Sequence, residues 1–402
     1  MHTSIQEKIF AGFKSESDRK DPPPGFPELP IIPAGRYTDP EFLALENEYL
    51  WRKSWLYALH SDELPRAGSY RMWRRTGVPI IITRGKDNVI RAFYNTCAHR
   101  GAPLVESEQG DTQGFFCRYH GWTYDLTGRL TTVRERRDFP EIDLNCHGLT
   151  PVRCEMFGNW VFINEDSNAE PLLQAIAPTP EHWENLQVDK LRYITSNTFE
   201  VACNVKILLD AFFETYHLKS IHPNTVDRFL DSRGTYIELW PRGQSMMTTP
   251  HRNPDWRDPG AKGMPAIESA DELFKNQNPS YYIFPGLVTP PAATGIPFLT
   301  FWPKTASTMI VDVHWFATEE AIGHDMWSTR VLNLAKIFDE DAQFAPRIQE
   351  SVETKGFKGM YVSYQERRIY HFHEELDRRI GPEKIPEHLR VKPMLADYVE
   401  KV

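Results

Sequence analysis

Two short stretches of this chain each pair a cysteine with a histidine, the residue types that bind soft metals. Cys97-Ala-His99 is followed, 17 residues later, by Cys117-Arg-Tyr-His120. Two thiolates and two imidazoles can hold a [2Fe–2S] cluster asymmetrically, two Cys on one iron and two His on the other. Neutral imidazole in place of thiolate raises the reduction potential. A Cys2His2 structural zinc uses the same ligand types. Spacing separates the two: a zinc finger usually keeps its cysteines in one pair and its histidines in the other, whereas here each pair is mixed.

About a hundred residues later comes Asn204-Val-Lys-Ile-Leu-Leu-Asp-Ala-Phe-Phe-Glu-Thr-Tyr-His217, then His222-Pro223. The spacing predicts a helix over about 204–220, with Asp210, Phe213, Glu214 and His217 on one face. Pro223 disfavours helix at His222, which can then turn back toward His217. Two imidazoles and one carboxylate on one side of a ferrous ion leave positions open for O2 and substrate. The carboxylate must come from further along, where Asp339, Glu340, Asp341 and Glu350 compete. In a predicted helical stretch over about 326–351, Leu334, Ile337, Phe338, Phe344, Ala345 and Ile348 form an apolar stripe with Asp341 near its centre. Asp339 and Glu340 point away from that stripe. An acid among apolar neighbours is costly unless a charge meets it; a buried Arg or Lys could do so, as could a metal.

The elements that must position these groups differ along the chain. From about Ser69 to Ile163 short runs of β-branched and aromatic residues alternate with turns, which predicts a small all-β domain. After Asp166 the texture is mixed, with strand-like runs at 281–284, 298–302 and 309–316. Residues 241–279 read as a long irregular insertion. Near the start, 21–34 (DPPPGFPELPIIPA) is too proline-rich for helix and reads as an extended arm, and Asp39-Pro40 starts a helix.

Composition narrows the class. The 402 residues are 25% charged with a formal net charge of −9, and no basic face suits nucleic acid. No run of about 18 apolar residues spans a membrane, and no apolar leader segment is visible. Five cysteines are an odd, sparse set, which argues for a reducing cytoplasm rather than a disulfide scaffold. Cys146, Cys154, Cys203 and His147 fit no ligand spacing. No Gly-x-Gly-x-x-Gly turn marks a flavin or nicotinamide site, so electrons must arrive from another protein.

Cys97-Ala-His-Arg-Gly-Ala-Pro-Leu and Cys117-Arg-Tyr-His-Gly-Trp-Thr-Tyr resemble the two cluster loops of Rieske non-haem iron (ring-hydroxylating) oxygenase alpha subunits. The 204–223 segment resembles the iron-site signature of the same family. Val205 stands where the family usually has Trp, and Ala211 where it often has Asn. The resemblance implies an α+β chain, with a Rieske domain over 46–165 before a helix-grip catalytic domain over 166–402, and an arm over 1–45 packed on the latter. It implies a cluster held by Cys97, His99, Cys117 and His120, and a mononuclear Fe(II) held by His217, His222 and Asp341. Asp210, Phe212, Phe213 and Phe284 are the expected pocket residues. Glu214 would join His120 of one chain to His217 of the next in a homotrimer. The implied partners are a flavin reductase, a ferredoxin or both, with NAD(P)H oxidised only there. The reaction expected first is hydroxylation of a hydrophobic or aromatic small molecule. Its alternative is oxidative N- or O-demethylation, since a glutamate at the bridging position occurs in members acting on quaternary amines. A non-enzymatic reading, an electron carrier with an inactive second domain, would require loss of the iron residues.

Overall fold

The run Ile80–Arg84 begins Ile-Ile-Ile-Thr, a β-branched sequence suited to a strand. Its three isoleucines are fully buried, so the strand is covered on both faces. In the computed structural model, which describes residues 1–401, this strand lies inside a compact unit formed by Arg52–Leu172. Among the described residues that unit holds a seven-stranded sheet. Its spatial order is Leu56–His60, Trp160–Asn164, Pro151–Phe157, Ile90–Tyr94, Ile80–Arg84, Ser69–Trp73 and Gln109–Asp111. A second sheet joins Phe115–Phe116, Thr123–Tyr124 and Leu130–Thr132. All pairings are antiparallel. Phe93, Phe115, Trp122, Tyr124 and Leu130 pack into one core with Cys97 and Cys117, so the two cysteine loops are seated on the core itself.

The other compact unit joins Met1–Trp51 to the chain from Leu173 onward. The position 45/46 falls inside helix Pro40–Tyr49, whose first turn is capped by Asp39 accepting from the Glu41 amide at 2.8 Å. Phe42 of that helix packs with Ile380, Ile385 and Leu389, which is why the segment groups with the C-terminal half. Ile32–Pro33 pairs with Gly359–Met360. Two buried ion pairs fasten the same segment: Arg36 to Asp377 at 2.6 Å, and Glu46 to Lys206 at 2.8 Å. Removing one partner of such a pair typically costs about 3–5 kcal/mol, because the other charge is left buried.

The sheet of this unit is also seven-stranded and antiparallel among the described residues. It runs Arg192–Val201, Thr308–Ala317, Ile296–Thr305, Leu287–Thr289, Asn278–Ile283, Ser245–Thr249, Tyr236–Leu239. Helix Arg367–Ile380 is buried along most of its length and is tied to the sheet by Arg368 Nε donating to Ser245 Oγ at 3.0 Å. Ser245–Thr249 corrects the expectation that 241–279 is irregular throughout. This strand is buried on both faces, so it carries no polar alternation to announce it. No helix among the described residues is long and apolar enough to cross a membrane.

Candidate metal centres

The two cysteine loops share one hydrogen-bond frame. In the first, the Cys97 amide donates to Ala102 O and the Gly101 amide to Cys97 O, both at 2.9 Å. In the second, the Cys117 amide donates to Trp122 O at 2.8 Å and the Gly121 amide to Cys117 O at 2.9 Å. Gly101 and Gly121 have φ of +76° and +75°, the left-handed region that a side chain resists. The imidazoles of His99 and His120 lie 4.6 Å apart, centroid to centroid. His99 stacks on Trp122 at 4.9 Å and His120 lies against Tyr119 at 3.9 Å.

Nδ1 of His99 and Nδ1 of His120 are buried and, among the described residues, accept or donate no hydrogen bond. A buried polar atom without a partner is costly. Two such nitrogens beside two buried thiols fit a cluster that takes all four as ligands. Burial raises the Cys97 thiol above its ordinary range and lowers the His99 imidazole. Tyr124 Oη accepts from the Ala98 amide at 3.0 Å and lies 3.2 Å from Cys97 Sγ, to which it can donate. Tyr124 is the last residue of the Cys117–Tyr124 motif, but spacing alone gives it no role beside Cys97.

The second centre is built on a break. Asn204 caps helix Val205–Ala211 by accepting from the Lys206 amide at 3.0 Å, but the helix ends at Ala211 rather than running to about 220. In a continuing helix the amides of Tyr216 and His217 would donate to the carbonyls of Phe212 and Phe213. Instead both donate to Glu214 Oε2, the His217 amide at 3.2 Å. Arg368 Nη1 takes the Phe212 carbonyl at 3.4 Å. The chain then resumes as the short helix Leu218–Ile221 and stops at His222-Pro223. Asp210 and Glu214 therefore do not share a helix face as expected.

Among the described residues, His217, His222 and Asp341 place one ligand atom each within 4.8 Å of the others. Asp341 Oδ1 is 3.1 Å from His222 Nε2 and 3.7 Å from His217 Nε2. The opposite nitrogens are held by two further acids. Glu214 Oε1 accepts from His217 Nδ1 at 2.6 Å, and Glu340 Oε2 accepts from His222 Nδ1 at 2.6 Å. Histidine ligands to metals are commonly held in this way. Burial pulls the His222 pKa down, but the bonds and charges of Asp341 and Glu340 outweigh it and the imidazole is raised. The donor set fits a ferrous ion, with two neutral imidazoles and one carboxylate.

Asp341 is buried, though not for the reason the stripe suggested. The expected single helix is two, Met326–Ala342 and Ala345–Val352, with Pro346 in the first turn of the second. Phe344 and Ile348 are 48% and 42% exposed, so the apolar face does not extend past the break. Glu340 does not point idly away either: its partner, His222, comes from 118 residues earlier, where helical phase gives no signal.

The expected pocket residues divide. Phe213 and Phe284 are buried in a ring cluster with Tyr282 and Phe372, and Phe212 packs on Phe301 at 5.1 Å. These are packing contacts. Asp210 is buried, accepts from Tyr37 Oη at 2.7 Å, and is pushed up to about 8 by burial. Elsewhere a narrow apolar seam is lined by Phe199, Val313 and Trp315 on the sheet and by Val331, Leu334 and Phe338 on the helix that carries Asp341.

Comparison with known proteins assigns a family domain to each half of the chain. Residues 54–147 match the family described as Rieske [2Fe–2S] domain, and 188–382 match Ring hydroxylating alpha subunit (catalytic domain). This chain belongs to the Rieske oxygenase family, whose oxygenase subunits bind a [2Fe–2S] cluster and mononuclear iron. It is 26% identical over 363 residues to the carnitine monooxygenase oxygenase subunit of Escherichia coli (strain K12), covering 86% of this chain and 92% of that one. It is 28% identical over 200 residues to the glycine betaine monooxygenase oxygenase subunit of Chromohalobacter salexigens, covering 50% and 45%. Its fold is that of naphthalene 1,2-dioxygenase from Rhodococcus sp., with a TM-score of 0.74 at 18% identity over 96% of this chain and 100% of that one.

Proposed function

We propose that this chain is a terminal oxygenase acting on a quaternary ammonium compound, hydroxylating a carbon bound to the cationic nitrogen. This reverses the order expected from sequence, in which an aromatic or hydrophobic substrate came first. The observation that carries it is the full-length similarity to a carnitine monooxygenase subunit, together with a glutamate, Glu214, on His217.

The cluster supplies single electrons and the mononuclear iron supplies the site where dioxygen is activated. The protein supplies the rest. Glu214 and Glu340 hold the two imidazoles, and the seam between Trp315 and Phe338 packs the helix that carries Asp341 against the sheet. On the same helix, three turns before Asp341, Arg330 is buried and lies over Trp315 at 5.1 Å. It donates to the Thr294 carbonyl and hydroxyl, at 2.9 and 2.7 Å. Burial lowers this guanidinium to about 10, against the charge of Asp258. Eleven residues of helix put Arg330 about 16 Å from Asp341, so its bonds to Thr294 anchor the helix that carries the acid.

One substrate, O2, two electrons and two protons give a hydroxylated carbon and water. Hydroxylation next to the nitrogen leads to C–N cleavage, with the proton leaving the new hydroxyl and the electron pair staying on nitrogen. Formaldehyde is released if a methyl was attacked, and trimethylamine if a chain carbon was. Electrons come from a separate reductase, directly or through a ferredoxin. In a homotrimer they pass from His120 of one copy through Glu214 to His217 of the next.

The test supplies purified chain, a reductase, NADH and O2 with carnitine, glycine betaine, choline, naphthalene or indole. Oxygen uptake coupled to aldehyde or amine release is expected with a carboxylate-bearing quaternary amine. Turnover of naphthalene or indole, with none of any quaternary amine, would overturn the reading.

A further inference from the structure

Glu340 and Asp341 are adjacent on helix Met326–Ala342, and they reach opposite nitrogens of a single imidazole. Asp341 Oδ1 is 3.1 Å from His222 Nε2, while Glu340 Oε2 accepts from His222 Nδ1 at 2.6 Å. Thr225 Oγ1 donates to the same Glu340 oxygen, also at 2.6 Å. Thr225 and His222 lie in one turn, where the Thr225 amide donates to the His222 carbonyl at 3.2 Å. Glu340 is thus held by the segment it holds.

The consequence is chemical as well as steric. An imidazole that donates through Nδ1 presents a lone pair at Nε2 in its neutral form, and Nε2 is the atom that faces Asp341 and His217. The ring plane is fixed by one carboxylate at each end. Glu340 lies outside the ligand set itself. We infer that Glu340 is a positioning residue for iron binding, selecting the His222 tautomer and ring orientation that ligate the metal. This rests on the reading of His217, His222 and Asp341 as the iron ligands.

The test uses the full chain with its cluster intact, stripped of mononuclear iron by chelation and titrated with Co(II). Affinity and the ligand-field spectrum are read directly, without turnover. Glu340→Ala is expected to weaken Co(II) binding by about 10–100-fold and to alter the ligand-field bands, leaving the cluster spectrum unchanged. Glu340→Gln keeps an acceptor oxygen for Nδ1–H and is expected to stay within a few-fold of wild type. Thr225→Val, which loosens Glu340 without touching the ring, should give a smaller loss in the same direction and covers the case in which Glu340→Ala misfolds. Wild-type affinity and spectrum in Glu340→Ala would overturn the inference, as would equal losses in the Gln and Ala variants. Asp341→Ala separates the two levels: wild-type Co(II) binding there refutes the ligand set itself, whereas loss there beside wild-type binding in Glu340→Ala refutes only the positioning role.

Discussion

Glu214 serves two groups at once: Oε1 accepts from the imidazole of His217 at 2.6 Å, and Oε2 accepts from the backbone amides of Tyr216 and His217. The carboxylate that orients the His217 imidazole also breaks the helix that leads to it. Glu214→Gln keeps the size and one acceptor oxygen but turns the other into a donor. The expected outcome is retention of the cluster and of substrate affinity, with turnover down by about 10-fold or more. Stopped-flow mixing of reduced protein with O2 and substrate should show slow cluster reoxidation. Reoxidation at the wild-type rate would remove Glu214 from the electron path.

Cys97→Ser and His120→Ala are each expected to abolish the visible absorbance of the cluster and all turnover, because each removes a ligand. Absorbance spectroscopy and iron analysis check this together. Full colour in either variant rules out the ligand set.

Asp341→Ala is expected to lose the mononuclear iron and keep the cluster spectrum, whereas Asp339→Ala, whose side chain is exposed, should keep both. Metal analysis per chain decides it, and iron lost only from Asp339→Ala would transfer the ligand role.

Asp210 makes stability depend on pH. Its folded pKa is pushed up to about 8, against an ordinary value of 3.8, with burial as the main cause. Between those values the folded chain holds a proton that the unfolded chain has lost, so stability falls as pH rises from about 4 to about 8. The slope contributed by one proton approaches 1.4 kcal/mol per pH unit. Asp210→Asn can still accept from Tyr37 and should flatten that slope, seen as a thermal midpoint that gains on wild type between pH 5 and 8. Parallel pH profiles for the two proteins would sink the assignment.

Both candidate metal sites were readable wherever chemistry and local spacing coincide. The mixed Cys–His pairs span only three and four residues, and their frame closes within six. His217 and His222 sit at either end of one short helix. The roles of Glu340 and Tyr124 were not readable, because each acts on a partner that only the folded chain brings near. The helix break was hidden for a different reason: residues 205–221 contain neither Gly nor Pro, and a side-chain carboxylate does the breaking. The strand Ser245–Thr249 was missed because burial on both faces erases periodicity, and the apolar stripe misled because Pro346 starts a new helix inside it.

The cluster unit is one uninterrupted stretch of sequence, whereas the iron unit is split around it. Chains leave the ribosome N-terminus first, and contiguous units fold as they emerge. Every strand of the cluster unit is therefore available before residue 173 is made. The first 51 residues must meanwhile wait, with Arg36, Tyr37 and Glu46 lacking the Asp377, Asp210 and Lys206 they will meet. Synthesis itself thus imposes a sequence on assembly: a chain halted after Leu172 holds Cys97, His99, Cys117 and His120 and none of His217, His222 and Asp341.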